Sequence, residues 1–179
     1  PTTGSPLYHR PVIIKDNATV RAIAVRNGVS SRAAEAVFMK TEPIGTITLA
    51  TRYSDQYTGG GNDALIDGMF GAEDFRVGHW QGYEQHDLDA IIELRHPKKV
   101  ESISTRFLQD NNAWIFFPAK IDYEISSDGI SYESIFSGTT GIPLEQNGAI
   151  ITSVQTTVNK YARFIRIRAK NIGTCPEWH

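Results

Sequence analysis

The segment Ala119-Lys120-Ile121-Asp122-Tyr123-Glu124-Ile125 decides the fold. From Ile121 onward apolar side chains take the odd positions, while Lys120, Asp122 and Glu124 take the even ones. That is the period of a strand with one face in a core and the other in water. Phe164-Ile165-Arg166-Ile167-Arg168-Ala169 repeats the pattern, with Ile165, Ile167 and Ala169 inward and Arg166 and Arg168 outward. Alternation of this kind belongs to antiparallel sheets. Fifteen glycines and eight prolines among 179 residues leave little room for long helices. The abundant β-branched and aromatic side chains suit a pleated surface, so the chain reads as all-β.

Around these two segments the pattern predicts strands over 87–94, 100–108, 119–126, 131–136, 149–158 and 161–170, with Ser127-Asp128-Gly129 turning a hairpin. Short strands at such regular intervals imply a sandwich or barrel. Arg95-His96-Pro97-Lys98-Lys99 reads as a solvated turn between two of them. A strand over 46–51 precedes a long irregular stretch, 52–86, rich in Gly, Asp and aromatic residues. Loops of that length usually carry function. Nearer the start, strands are expected over 11–15, 19–26 and 33–40, separated by Lys15-Asp16-Asn17 and by Asn27-Gly28, although 33–40 also suits a helix by propensity. Proline and glycine in Thr41-Glu42-Pro43-Ile44-Gly45 break the pattern. The expected organisation is a small unit, 1–41, followed by a main domain, 42–179.

Charge and composition exclude several functions. Lys and Arg number 18 against 20 Asp and Glu, a net charge of −2. This lacks the basic excess that nucleic-acid binding requires. Apolar runs such as Trp114-Ile115-Phe116-Phe117 fall far short of the roughly 20 residues of a membrane span, and Pro1-Thr2-Thr3 opens no signal peptide. One cysteine, Cys175, forms neither an internal disulfide nor a redox pair.

Several motifs in order carry a resemblance. Asn62-Asp63-Ala64-Leu65-Ile66-Asp67-Gly68, then Trp80, then Asp89-Ala90-Ile91-Ile92-Glu93-Leu94 and Val100-Glu101-Ser102-Ile103 resemble the discoidin, or coagulation factor type C, family. Tyr123-Glu124-Ile125-Ser126-Ser127-Asp128-Gly129 and Ala162-Arg163-Phe164-Ile165-Arg166-Ile167 resemble its later strands. The likeness implies a discoidin-type jelly-roll β-sandwich of eight strands, with the final one expected to be missing after Cys175-Pro176-Glu177-Trp178-His179. The first 41 residues, through Gly4-Ser5-Pro6-Leu7-Tyr8-His9-Arg10-Pro11-Val12 and Ala18-Thr19-Val20-Arg21-Ala22-Ile23-Ala24, are similar to the C-terminal β-sandwich of bacterial chitobiases and β-hexosaminidases. They are expected to be a three-stranded fragment of that immunoglobulin- or fibronectin-like module. Together with Phe107-Leu108-Gln109-Asp110, the pairing resembles the tail of secreted β-N-acetylhexosaminidases. It implies an extracytoplasmic setting, a catalytic domain on the same polypeptide and glycans of the N-acetylglucosamine or galactose type as ligands.

No catalytic residues are expected in this piece. A glycosidase needs two carboxylates about 5–9.5 Å apart across one sugar. Neither Asp87 with Asp89 nor Asp63 with Asp67 sits in a recognisable catalytic motif. The candidate carbohydrate-binding residues are Asp110, Asn111, Asn112, Trp114 and Phe116, with Tyr57, Tyr83 and His86 from the long loop. Aromatic faces suit the apolar side of a pyranose, and carboxylate and amide side chains suit its hydroxyls. Trp80 reads as packing, which the resemblance also implies. The Asn62–Gly68 turn admits one structural calcium, with Asp67 as best ligand and Asn62 or the carbonyl of Ala64 beside it, as the resemblance implies; the same aspartate also suits an Asx turn. His79, His86 and His96 share no metal-ligand spacing. Two rival readings are a module that only braces the catalytic barrel and one that inserts Trp114, Phe116 and Phe117 into a membrane. The absence of basic residues from that loop argues against the latter.

Overall fold

The computed structural model describes residues 1–38, 40 and 43–179, and the chain divides into two units, Pro1–Glu42 and Pro43–His179. Thr41 and Glu42, at the expected boundary, lie outside the described residues, as does Met39 within the strand expected over 33–40. Among the described residues there is no α-helix.

The first unit is a long hairpin in two parts. β1 (Ala18–Ala22) pairs with β4 (Ala34–Phe38), and β2 (Val25–Arg26) pairs with β3 (Val29–Ser30). Asn27 and Gly28 turn the tip with φ of 51° and 76°, the doubly left-handed backbone that an Asn-Gly hairpin supplies. The strand expected over 19–26 is interrupted at Ile23 and Ala24, where Ser31 bonds Ala24 through both its backbone N–H and its hydroxyl. The strand expected over 11–15 does not form. Val12 and Ile13 are 74% and 82% exposed, and consecutive apolar residues in place of alternation give no single face to bury. In place of three strands the unit therefore has two short ribbons. Along β1–β4 one face is apolar, pairing Ala18 with Phe38, Val20 with Ala36 and Ala22 with Ala34; the other carries the Arg21–Glu35 ion pair.

The second unit is built on two long strands, β6 (Leu88–Asp110) and β9 (Ala149–Lys170). With β5 (Gly45–Leu49), β7 (Lys120–Ser126) and β8 (Glu133–Gly138) they form one sheet in the order β5-β6-β9-β7-β8. Four strands expected in sequence thus merge into two. Pairing of β6 with β9 shifts register between Glu93 and Lys98 and again between Val100 and Ser102. Bulges bend strands, and Arg95-His96-Pro97 occupies the first one, exposed as a solvated turn would be but inside a continuous strand. Inward positions on β6 pass from Leu88, Ala90, Ile92 and Leu94 to Ile103, so each side of the shift keeps its apolar face on the core.

Tyr123 shows that the bent sheet closes on itself. It lies on β7, opposite Ile167 in the C-terminal arm of β9. Its hydroxyl nevertheless donates to the carbonyl of Val154 at 2.9 Å and bonds the hydroxyl of Thr105. Thr105 and Val154 are partners in the other arm. The two arms therefore stack as two layers of an all-β sandwich, five strands against two. Ile121, Tyr123, Ile125, Ile165, Ile167 and Ala169 from one layer share a single core with Ile103, Val154 and Val158 from the other. On the outer surface of the first layer, Arg166 pairs with Asp89 and Arg168 with Glu124, occupying the polar positions of the two deciding segments.

Candidate functional site

Because the long strands double back, several strand ends meet at one end of the sandwich. Leu49 pairs with Ala90, Leu88 with Ala169, Lys120 with Lys170 and Asp110 with Ala149. The loops 50–87, 111–119 and 139–148 and the tail 171–179 leave from these positions. Side chains tie them together. Arg106 places its guanidinium 4.9 Å from the ring centroid of Phe70, and Asn171 bonds the carboxylate of Asp87 and the carbonyl of Tyr83. Beneath them, the fully buried Gln109 donates its amide to the carbonyl of Pro143 at 3.1 Å and to those of Leu144 and Gln146 at 3.3 Å, and accepts from the Phe117 N–H at 3.4 Å.

The loop after β6 is the most shaped of these segments. Asp110 and Ile115 exchange two backbone hydrogen bonds, at 2.9 and 3.0 Å, around a 3₁₀ turn over Asn111–Ala113. Trp114 closes the turn in a left-handed conformation, φ 62°, costly for a large side chain, and the residue is 67% exposed. Around it lie His179 at 4.6 Å between centroids and, through His179, Phe116 at 5.5 Å; Phe116 also meets Trp178 at 6.2 Å. The imidazole Nε2 of His179 bonds the carbonyl of Asn111, which seats the tail on this loop. Sequence reading placed Trp178 and His179 in the approach to a strand. No periodic signal joins them to Trp114.

The expected residues separate into groups. Trp114 and Phe116 belong to the ring cluster, with Asn112 exposed and Asp110 half-buried beside them. Asn111 points inward: it is 3% exposed, its amide nitrogen lies 3.4 Å from the carbonyls of Leu144 and Gln146, and its Oδ1 is buried without a partner. It positions the neighbouring loop and does not reach the surface, a correction to its expected contact with ligand. Tyr83 packs against the core and donates to Gln81 Oε1 at 3.0 Å, and burial pushes its phenol up to about 12. His86 is exposed. Tyr57 lies edge-on to Phe75 at 6.0 Å in a cleft that Trp80 also lines. Trp80 packs on Gly71, where a Cβ would come within 2.1 Å of its ring, and donates to the Ala72 carbonyl at 2.8 Å.

At the expected calcium turn, Asn62 Oδ1 accepts from the Tyr53 hydroxyl at 3.1 Å and Asp67 Oδ1 accepts from the Met69 N–H at 2.7 Å, an Asx turn. The Gly61 carbonyl accepts from Ala64 N–H and Gln81. Calcium asks for six to eight oxygens. Among the described residues no three of His, Cys, Asp and Glu gather into a metal-binding group. Asn62 Oδ1, Asp67 Oδ1 and the Gly61 carbonyl thus each take part in holding the turn. Of the carboxylates weighed for catalysis, Asp89 pairs with Arg166 and Asp87 accepts from the Asn171 N–H.

Residues 1–37 match a family model described as Fn3 associated. No curated protein matches the chain. Among solved structures it is similar to CpGH89CBM32-4 of Clostridium perfringens in complex with GlcNAc-α-1,4-galactose, at 11% identity over 72% of this chain and 76% of that one, TM-score 0.46. CpGH89CBM32-5 from the same organism, in complex with GalNAc-β-1,3-galactose, matches at 16% identity over 72% and 86%, TM-score 0.46. The C-terminal domain of a chitobiase from Bacteroides fragilis matches at 18% identity over 75% and 88%, TM-score 0.40.

Proposed function

We propose that this chain is a non-catalytic carbohydrate-binding region of an extracytoplasmic glycoside hydrolase acting on terminal β-N-acetylhexosaminides, and that it holds the enzyme on its glycan. The observation that carries this reading is Trp114: a large ring held out to solvent by left-handed backbone, at the end of a sandwich, with Phe116, Trp178 and His179 grouped around it. Such a ring offers a flat apolar face to a sugar, and Asn112 and Asp110 stand beside it for hydroxyls. Weak binding suffices, since tethering to a catalytic domain raises the local concentration of substrate.

The test is a titration followed by amide NMR with N-acetylglucosamine, galactose and their β-linked oligomers. Saturable shifts around Trp114 and Phe116 are expected, weakened at least about tenfold, roughly 1.4 kcal/mol, by Trp114→Ala. Titrations that leave this loop unmoved would reject the reading. The exposed Leu65, Met69, Phe70 and Val77 favour a second one, a brace against the catalytic domain. A chain that binds that domain and no glycan is its result.

A further inference from the structure

The long loop forms an open cleft of its own, of about 300 Å³, that shares no lining residue with the Trp114 cluster. This volume is at the lower end of the range that admits small ligands. Its walls are aromatic: Tyr57, Phe75 and Trp80, with Gln56 and Arg76 supplying polar groups. They are also fixed in place. The Tyr57 N–H donates to the Ser54 carbonyl and the Tyr57 carbonyl accepts from the Gly82 N–H, and Thr58 bridges to Gln81. Trp80 is clamped between Gly71 and the Ala72 carbonyl, and Phe75 sits in a 3₁₀ turn whose N-cap, Asp74, accepts from the Arg76 N–H. A cleft built this way loses little freedom on binding.

The charge at its edge selects the ligand. Arg76 grips Asp74 through two parallel hydrogen bonds, Nε to Oδ1 at 2.7 Å and a terminal nitrogen to Oδ2 at 3.0 Å. The carboxylate is held below its usual range by this partner, so the pair stays ionised through neutral and mildly acidic pH. The guanidinium is thus neutralised locally and offers its remaining N–H groups as plain donors, with no uncompensated cation to attract an anion.

The geometry points to a second glycan subsite here, separate from Trp114, taking a neutral pyranose, hexose or N-acetylhexosamine, in preference to a uronic acid. The C–H face of the sugar would lie on one of the two rings, Tyr57 or Phe75, with the other, nearly perpendicular, against its edge, and Gln56 and Arg76 would meet its hydroxyls. The inference rests on the glycan-binding reading above, yet its test is independent of Trp114. The variant Trp114→Phe/Trp178→Phe leaves Trp80 as the sole tryptophan of the three in the chain. Its emission is followed on addition of methyl β-N-acetylglucosaminide, methyl β-galactoside or methyl β-glucuronide. A saturable change with the neutral sugars is expected, at least tenfold weaker with the glucuronide and at least tenfold weaker after Tyr57→Leu or Phe75→Leu in variants that melt as the parent does. No response to neutral sugars, equal affinity for the glucuronide, or titrations indifferent to both leucine variants would overturn it. The Trp114→Ala titration reports on the other site alone, so the two readings fail separately.

Discussion

Replacing Tyr123 by Phe removes one oxygen from the centre of the sandwich. The side chain is fully buried, and its ring lies 5.3 Å from that of Phe136, a contact that Phe preserves. What is lost is the pair of hydrogen bonds to Val154 and Thr105 that crosses from one layer to the other. A neutral hydrogen bond contributes about 1 kcal/mol net, and a buried group left unpaired costs about 1–3 kcal/mol. Val154 is 8% exposed, whereas Thr105 is half-buried and can recover a water. One orphaned carbonyl and one ordinary bond together predict a loss of about 2–3 kcal/mol. Urea denaturation followed by amide exchange at Ile121 and Ile167 confines the measurement to the main unit; the midpoint should fall at unchanged slope. A double-mutant cycle with Thr105→Val should show coupling, because the two hydroxyls share a bond. A loss below about 0.5 kcal/mol would mean that the layers are not joined through this hydroxyl, and the closure of the sheet would need another explanation.

Three other outcomes are expected. Gln109→Leu abandons the Phe117 N–H and the carbonyls of the 143–147 loop, so the fold should lose about 2–3 kcal/mol and the Phe117 amide its exchange protection. The Tyr83 phenol, raised by burial to about 12, is favoured neutral in the fold; its contribution is complete below pH 10 and is lost as pH rises through 12. Tyr83→Phe should therefore flatten the alkaline limb of the stability curve between those values. With Asp67 Oδ1 and Asn62 Oδ1 already accepting inside the turn, a chelator and excess calcium should give the same melting temperature, and a rise with calcium would show that the turn binds the ion.

The parts of this fold that were legible in the sequence are those governed by alternation. Ile121, Tyr123 and Ile125 are buried, and Lys120, Asp122 and Glu124 face outward, as their period required. Asn27-Gly28 turns its hairpin because few other dipeptides accept two left-handed residues in succession. Where alternation breaks, the reading broke with it. Pro97 and its charged neighbours look like the end of a strand, yet a bulge absorbs them and β6 continues, since β9 supplies a partner on both sides. The site was less legible because its contacts join distant segments. Nothing local distinguishes Asn111, which turns inward to the carbonyls of Leu144 and Gln146, from Asn112, which stays in solvent. The same holds for His179 beside Trp114.

The bend in β6 and β9 has a kinetic consequence. Both layers belong to one ladder, so Asp110 finding Ala149 fixes the partners available from there to Leu88 and Ala169. The loop closed first, between Asp110 and Ala149, is the shorter one, and the ladder lengthens toward ever more distant pairs. Such non-local pairing makes for slow folding. The bulges then act as register marks: a one-residue slip begun in the first-formed arm has to be carried past two irregularities before the second arm can zip, and there every inward side chain would meet solvent. Misregistered chains should stall at the bend with the candidate site half assembled, leaving refolding of the whole sandwich limited by a single step of alignment.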